Sequence, residues 1–225
     1  MNLTLYHGSQ RRIEKPTYGF GNAANDYGMG FYCTESLDLA CEWAVDVARD
    51  GFANEYRIDT EGLDILNLES SEYSELQWLA ILLQNRTFDT ASVLASDARD
   101  YLLDNFLPEY RERDLIVGYR ADDSYFAFAQ DFISGGISLR QLGNAMRFGK
   151  LGLQVVIKSE KAFGRLVFVD ARPASCEKWL ASKTERDLSA RRAYLDKERH
   201  KRQKGDLYIT QILDEQMGPD DARLR

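Results

Sequence analysis

Cysteine, histidine and long apolar runs are all scarce in this sequence of 225 residues. The three cysteines, at positions 33, 41 and 176, form an odd and scattered set, which disfavours a disulfide framework and fits a reduced cytoplasm. The sequence has no CxxC motif and no histidine and cysteine cluster with the spacing of a zinc site. It has no run of about 18 apolar residues that could span a membrane, and its N-terminus lacks the pattern of a signal peptide. We therefore expect a cytoplasmic protein that uses no metal and contacts no membrane.

Charge is plentiful but unevenly distributed. The formal net charge is −7, yet residues 183–204 contain nine Lys or Arg and four Asp or Glu. This basic segment therefore carries +5, which leaves −12 on the rest of the chain. Such a segment is typical of a solvated, charged helix, or of an arm that binds nucleic acid or an acidic partner. Both interpretations stay open at this point.

Hydrophobic periodicity predicts short strands interspersed with helices. Strands are predicted at residues 2–6, 30–34, 114–119, 154–157 and 166–169, with a hairpin over 55–68. Helices are predicted from about residue 37 to a stop at Gly51, and over 71–105, 122–134 and 138–147. The pattern is that of an α+β fold. We expect one domain over residues 1–170, with a helical insertion at about 70–147, and a charged helical extension over 171–225. The extension is expected to be a separate arm or a partner-binding element, in which Tyr208, Ile209, Ile212 and Leu213 could form a short amphipathic helix that docks on the body or on a partner.

Two short segments carry most of the residues that could perform chemistry. The first is Tyr6-His7-Gly8-Ser9, which ends the first strand, and the second is DYGMGFYCT over residues 26–34. The chain has only two histidines, and the other, His200, lies in the basic segment. A lone histidine after a strand is usually structural, and two glycines two residues apart more often form a tight turn than a ligand site. Neither segment indicates a site by itself.

Together, however, the two segments resemble the NAD⁺-binding half of the ADP-ribosyltransferase fold, of the diphtheria-toxin and poly-ADP-ribose-polymerase type. That superfamily carries a His–Tyr–Glu triad on three separate strands, and His7 and Tyr32 match its first two positions. The chain resembles still more closely a bacterial family of unknown function, DUF3990. The shared features, over roughly residues 3–170, are HGS, the DYGxGFYxT block, an A-x-x-W-A helix at 40–44, ADD at 121–123 and a strand that begins at Gln154.

The resemblance implies a fold of two small, mostly antiparallel sheets around an NAD cleft, and a role for each residue there. His7 would bond an adenosine-ribose hydroxyl, the Gly8 backbone would approach the nicotinamide carboxamide, and Tyr32 would stack on the nicotinamide ring. His7, Tyr32 and Gln154 are the implied catalytic residues. The implied NAD-binding residues are His7, Gly8, Ser9, Gly30, Phe31, Tyr32, Thr34, Trp43 and Gln154.

The third triad position departs from the enzyme pattern, because Gln154 stands where many transferases have glutamate. Glutamine keeps the hydrogen bonds to a ribose hydroxyl but loses the negative charge that stabilises an oxocarbenium ion. This disfavours chain-forming polymerase activity and leaves single transfer open. Glu160 could share a strand face with Gln154, but a turn is expected between them.

Trp43 gives an independent indication of a cleft. At about 100° per residue, it lies roughly 140° from the apolar stripe of its helix, so it needs a partner outside the helix–sheet core. The resemblance implies that it stacks on the nicotinamide ring, and packing against a neighbouring element is the alternative. Arg11 and Arg12 either meet the cofactor's pyrophosphate or lie on the surface. Asp122 and Asp123 are expected to cap the following helix rather than to act in catalysis.

Three functions follow from these observations. The first is a mono-ADP-ribosyltransferase that uses NAD as substrate and modifies a protein or nucleic acid, as a toxin with a cognate antitoxin or in phage defence. The second is a non-catalytic sensor of NAD or ADP-ribose, which Gln154 favours. The third is a protein that binds nucleic acid or a partner through its basic segment. The absence of GxGxxG disfavours a Rossmann dehydrogenase.

Overall fold

Two small sheets form the framework of the molecule. The computed structural model describes residues 2–121, 123–147 and 152–224. Its strands in these ranges are β1 (Asn2–Ser9), β2 (Phe31–Cys33), β3 (Gly51–Asp59), β4 (Ile65–Asn67), β5 (Leu115–Tyr119), β6 (Leu153–Ile157) and β7 (Leu166–Ala174). One sheet has the order β1-β3-β7 and the other β2-β6-β5-β4. Every pair is antiparallel except β4 with β5, which confirms the α+β class and the two small, mostly antiparallel sheets.

The two sheets meet where their edge strands β1 and β2 come together. Tyr6 and Thr34 exchange two backbone hydrogen bonds, with N–H···O distances of 2.7 and 2.9 Å. Leu5, Tyr56 and Ile157 are fully buried in an apolar layer shared by the two sheets. The bridge and this layer fix the angle at which β1 leaves β2, and the strands diverge beyond it.

Helices cover the sheets. They are α1 (Leu37–Ala44), α2 (Glu75–Asn85), α3 (Val93–Phe106), α4 (Asp123–Ile133), α5 (Leu139–Arg147), α6 (Glu160–Phe163), α7 (Cys176–Lys197) and α8 (Ile209–Asp214), with a 3₁₀ turn at Ala222–Leu224. Serine side chains cap five of the described helices, at positions 36, 74, 92, 138 and 159. No helix in the described part of the chain is both long and apolar enough to cross a membrane.

Helix α1 ends seven residues before the expected stop at Gly51. A tight turn follows, in which Asp46 and Arg49 bond each other's backbone and Ala48 has a φ of 57°. Gly51 instead begins β3, where a Cβ would lie 2.1 Å from the Ala44 carbonyl oxygen. The glycine is therefore required by the close contact between strand and helix.

The predicted hairpin over 55–68 is wrong. Strand β3 lies in the first sheet, whereas β4 crosses to the second sheet and pairs in parallel with β5. The buried residues explain the separation, because Ile58 belongs to the layer between the sheets and Leu66 to the helical core. Alternation along each run is local information, and it does not specify the partner strand.

The C-terminal region is an integral part of this fold. The expected boundary at 170 falls inside β7, which pairs with β3 as far as Ala174. Tyr194, Ile209 and Ile212 are then buried in the main helical core. The segment from 171 therefore docks on the body rather than forming a separate arm, because its own apolar side chains pack into the main core.

Candidate functional site

A cleft of two lobes lies where β1 and β2 diverge. The inner lobe, of about 260 Å³, is lined by His7, Gly8, Asn25, Asp26, Tyr32, Trp43, Arg86, Arg120, Ala121 and Gln154. The outer lobe, of about 660 Å³, is lined by His7, Ser9, Arg11, Ile13, Lys15, Pro16, Thr17, Phe20, Gly21, Asn25, Gly30, Phe31 and Tyr32. His7, Asn25 and Tyr32 line both lobes and form the border between them. The volume of the outer lobe is in the range of small-molecule sites, which is about 300–1,000 Å³, and that of the inner lobe is slightly below this range.

Strand β1 presents His7 in one fixed orientation. Its Nδ1 lies 2.7 Å from the carbonyl oxygen of Tyr32, and its ring stacks on Phe31 with centroids 4.2 Å apart. A carbonyl only accepts, so Nδ1 carries the proton and Nε2 of the neutral ring is left as an acceptor. Burial lowers the pKa of His7, and the bond to the Tyr32 carbonyl opposes that effect. The imidazole is therefore neutral at pH 7.

The Gly8 backbone forms one wall of the inner lobe. Along a strand, the backbone N–H and C=O groups of successive residues point to alternate sides. The N–H and C=O groups of Gly8 therefore point to the same side of β1 as those of Tyr6. Tyr6 uses that side to bond Thr34, but at Gly8 the strands have diverged. Helix α1 covers the opposite face, where a Cβ on Gly8 would lie 2.2 Å from the Ala40 carbonyl oxygen. Glycine is thus required here for packing, and it leaves one backbone donor and one acceptor directed into the cleft.

Strand β2 presents Tyr32, whose hydroxyl group holds the adjoining turn. It donates to the Gly28 carbonyl at 2.6 Å and accepts from the Tyr27 amide at 3.0 Å. Gly28 has a φ of 72°, a conformation that favours glycine. Burial raises the pKa of Tyr32, so its phenol stays protonated. The ring, rather than the hydroxyl group, is therefore the part of Tyr32 that a ligand in the inner lobe would contact.

Two buried polar atoms in the inner lobe have no hydrogen-bond partner among the described residues. One is the acceptor Oε1 of Gln154, a side chain only 5% exposed, and the other is the donor Nε1 of Trp43. An unpaired buried polar atom costs about 1–3 kcal/mol. A ligand with one donor and one acceptor could satisfy both atoms if it displaced the side chains that cover them, such as Arg120 over Trp43.

Three charged residues of the inner lobe were absent from the sequence-based assignment. Asp26 is buried and pairs with Arg86, with 2.7 Å between Oδ1 and Nη1. The guanidinium of Arg120 lies over the Trp43 ring, 4.9 Å from its centroid. Asp26 is the first residue of the DYGMG segment, and its place in that motif was the available sequence signal. Arg86 and Arg120 come from the ends of α2 and β5, where nothing local indicates a site.

The other predicted residues are distributed as follows. Ser9, Gly30, Phe31 and Arg11 line the outer lobe. Thr34 is buried and lines neither lobe, because its backbone bonds Tyr6 and its hydroxyl accepts from the Ser36 amide. Arg12 pairs with Glu14. Glu160 is exposed at the start of α6, outside the cleft.

Asp122, which was expected to cap α4, lies outside the described residues, and Asp123 begins α4. Within the described residues, no group of three or more His, Cys, Asp or Glu side chains could hold a metal ion. The three cysteines are free thiols.

Comparison with known proteins gives one result. The model of the family described as "Protein of unknown function (DUF3990)" matches residues 3–168, which is most of the chain. No curated protein and no solved structure matches. The chain therefore belongs to the DUF3990 family, and the matched region contains every residue of the cleft named above.

Proposed function

We propose that this member of the DUF3990 family binds NAD⁺ in the two-lobed cleft and acts as a mono-ADP-ribosyltransferase. The observation that carries the proposal is that His7, Tyr32 and Gln154, on three strands from distant parts of the chain, line one inner lobe. The resemblance to ADP-ribosyltransferases implies this arrangement of the three residues. The chemical groups that line each lobe support the proposal further.

The inner lobe has the groups that a nicotinamide ring and its carboxamide require. The carboxamide has donors and an acceptor, which match the open backbone groups of Gly8. The pyridinium ring is planar and cationic, and Trp43 already holds a planar cation, the Arg120 guanidinium, over its face. An aromatic pair with Tyr32 or Trp43 would contribute about 0.5–1.5 kcal/mol beyond burial. Nicotinamide would therefore take the place that Arg120 holds.

The outer lobe suits the rest of the dinucleotide. His7, at the border of the lobes, offers Nε2 as an acceptor for a ribose hydroxyl. Arg11 and Lys15 line the outer lobe and supply positive charge for a pyrophosphate. Phe31 and Phe20 add apolar surface for an adenine ring. The reacting ribose would then lie between the lobes, within reach of Gln154.

The proposed reaction breaks the bond between the nicotinamide nitrogen and C1 of its ribose, and the bonding electron pair leaves with nicotinamide. Positive charge develops on the ribose, as in glycoside hydrolysis. A nucleophilic atom of the acceptor forms a new bond to the same carbon, and its proton passes to solvent. One NAD⁺ and one acceptor thus give one ADP-ribosylated acceptor, nicotinamide and one proton.

The acceptor we propose is a macromolecule, either a protein or a nucleic acid, and the setting is the cytoplasm, where the protein would act as a toxin held by a cognate antitoxin or in phage defence. The outer lobe is lined in part by Phe20, whose side chain is exposed. A macromolecular acceptor can approach from that side without unfolding any strand.

A sensor that binds NAD⁺ or ADP-ribose without turnover is the second candidate. The observation that favours it is Gln154, a neutral side chain where a transferase commonly has a carboxylate. The third interpretation, binding through the basic segment, has less support. Helix α7 is docked on the body through its Arg186, which pairs with buried Glu42.

A nicotinamide-release assay with cell lysate as the acceptor source tests the proposal. Wild-type protein should release nicotinamide, and mass spectrometry of protein and RNA should show added ADP-ribose. Gln154→Ala should lower turnover about ten- to a hundredfold and change NAD⁺ affinity little, because its hydrogen bond acts at the reacting ribose. Gln154→Glu should retain or raise release.

Gln84→Ala, on the exposed face of α2, is the matched control and should leave release unchanged. Wild-type protein that binds NAD⁺ yet releases none with any acceptor would favour the sensor. Absence of NAD⁺ binding would overturn both candidates.

A further inference from the structure

We infer that Asp26 is a positioning residue for the transfer reaction, and that Asp26 and Gln154 together take the role that a single glutamate has in other transferases. The inference rests on the proposed function. In this arrangement Gln154 accepts a hydrogen bond from the ribose hydroxyl. Asp26 orients the side-chain amide of Gln154 and supplies the negative charge. Nothing in the family resemblance assigns a role to Asp26.

The position of Asp26 is fixed by three contacts. Oδ1 accepts from Arg86 at 2.7 Å, and Oδ2 accepts from the backbone amide of Ala121 at 2.9 Å. Oδ2 also lies 3.4 Å from Nε2 of Gln154. The side chain is buried, so solvent does not compete for these partners. A carboxylate is therefore held rigidly against the amide of Gln154.

Asp26 decides which way the Gln154 amide points. An ionised carboxylate only accepts hydrogen bonds, so the NH₂ group of Gln154 must face it. The amide is planar, and its Oε1 is then directed away from Asp26. This is the atom that has no partner among the described residues. Without Asp26, the amide could rotate by half a turn and present a donor instead of an acceptor to the ribose.

Asp26 is also the only carboxylate among the described residues that line the inner lobe. The positive charge of the reacting ribose would develop beside it, in a buried site where electrostatic interactions are poorly screened. Burial raises the pKa of Asp26, and the Ala121 amide and the guanidinium groups of Arg86 and Arg120 oppose that rise. Arg86, whose Nη1 lies 2.7 Å from Oδ1, favours the charged form of Asp26. One hydrogen bond beyond Gln154, the lobe thus has the carboxylate that Gln154 lacks.

Moving the carboxylate between the two positions tests this inference. Asp26→Asn should lower kcat for nicotinamide release about 30- to 100-fold, with the NAD⁺ dissociation constant within about threefold of wild type. The double variant Asp26→Asn/Gln154→Glu restores one carboxylate and one amide, so its kcat should recover to within about tenfold of wild type. Gln154→Glu alone places two carboxylates side by side, and its activity should rise toward higher pH.

The matched control is Asp114→Asn. Asp114 is likewise buried and bonded to a backbone amide and a cation, Lys161, but it lies outside the cleft. This variant should keep wild-type kcat per folded molecule. Loss of activity in Asp26→Asn without recovery in the double variant would show that Asp26 is merely structural. Unchanged activity in Asp26→Asn would overturn the inference directly.

A second measurement needs no turnover. In Asp26→Leu/Arg86→Met both charges are removed together, so no lone buried charge is left. The side-chain amide protons of Gln154 should then exchange with water at least about tenfold faster in NMR spectra than in the wild type, since their acceptor is gone. Unchanged exchange would refute the positioning role. If wild-type protein releases no nicotinamide, the transferase proposal fails on its own, and this result still decides whether Asp26 holds Gln154.

Discussion

At the scale of single residues, His7 combines a structural and a functional constraint. Its Nδ1 donates a hydrogen bond to the Tyr32 carbonyl, and its ring stacks on the Phe31 ring. Only Nε2 is left for a ligand, and only the neutral ring offers it as an acceptor. Under the proposed function, the protonation state of this one side chain should therefore govern NAD⁺ affinity.

Because burial lowers the pKa of His7 below its ordinary value of 6.5, NAD⁺ affinity should stay nearly constant between about pH 8 and 7 and decline at lower pH. His7→Ala should abolish binding across this range. Isothermal titration calorimetry at several pH values measures both effects. His200→Ala, in the exposed basic segment, is the control and should bind as the wild type does. An affinity that already falls between pH 8 and 7 would contradict the assignment.

Gly8 is constrained on two sides. Gly8→Ala would place a methyl group against the backbone of α1, 2.2 Å from a carbonyl oxygen that cannot move alone. We expect a loss of about 1–3 kcal/mol in the free energy of unfolding and a narrower inner lobe. Urea denaturation measures the free energy of unfolding, and NAD⁺ titration measures the affinity that a narrower lobe should lower. Gly218→Ala, where a Cβ meets nothing within 4 Å, should be nearly neutral. Equal stability of the two variants would disprove this account.

At the scale of elements, the long helix α7 forms an ion pair with α1, the helix that carries Trp43. Arg186 makes several hydrogen bonds to Glu42, whose side chain is only 3% exposed. Farther along α7, Tyr194 donates to Asp131 of α4. Glu198, at the end of α7, also pairs with Arg140 of α5. The basic segment is thus anchored to the body by Arg186, Tyr194 and Glu198.

Removing one partner of the Arg186–Glu42 ion pair should lower the free energy of unfolding more than removing both partners. Arg186→Met leaves a buried carboxylate without its cation, which costs about 3–5 kcal/mol. Glu42→Leu/Arg186→Met removes both charges and should recover most of that stability. Chemical denaturation of the two variants and the wild type measures the difference. A double variant no more stable than the single one would show that the pair does not stabilise through its charges.

The elements also show how far sequence reasoning reaches. Strands β1, β2 and β6 were predictable, with His7, Tyr32 and Gln154 on them, because alternation and motif spacing are local signals. Asp26 with Arg86 was not, since those residues are 60 positions apart and meet only through tertiary structure. The partners of β3 and β4 were missed for the same reason. Local patterns predict the elements, whereas long-range packing decides which side chains share a cleft.

At the scale of the whole molecule, acid stability depends on buried carboxylates that are well paired. Burial raises the pKa of Asp114, but the hydrogen bonds from Ser159, the Asp64 amide and Lys161 outweigh it and bring the pKa to about 2. This pKa is below the value of the unfolded chain. Asp114 therefore contributes stability above about pH 4, and that contribution is lost as the pH falls toward 2.

The variant Asp114→Asn should be less stable than wild type at neutral pH, and the difference should shrink between about pH 4 and 2. Urea denaturation at a series of pH values measures it. Asp100→Asn, at an exposed position, should show no such convergence. A constant difference between Asp114→Asn and wild type at all pH values would mean that the charge of Asp114 is not responsible.

The order of the strands along the chain has a consequence for synthesis on the ribosome. Tyr32 and its turn are made early, but Asp26 contacts Gln154 across 128 residues of intervening sequence. At about 5–20 residues per second, the ribosome needs on the order of ten seconds to make that stretch. Throughout this time the nascent chain has β1 and β2 but lacks the strand that completes the cleft. Under the proposed function, chains released before β6 is made would therefore bind no ligand in the cleft.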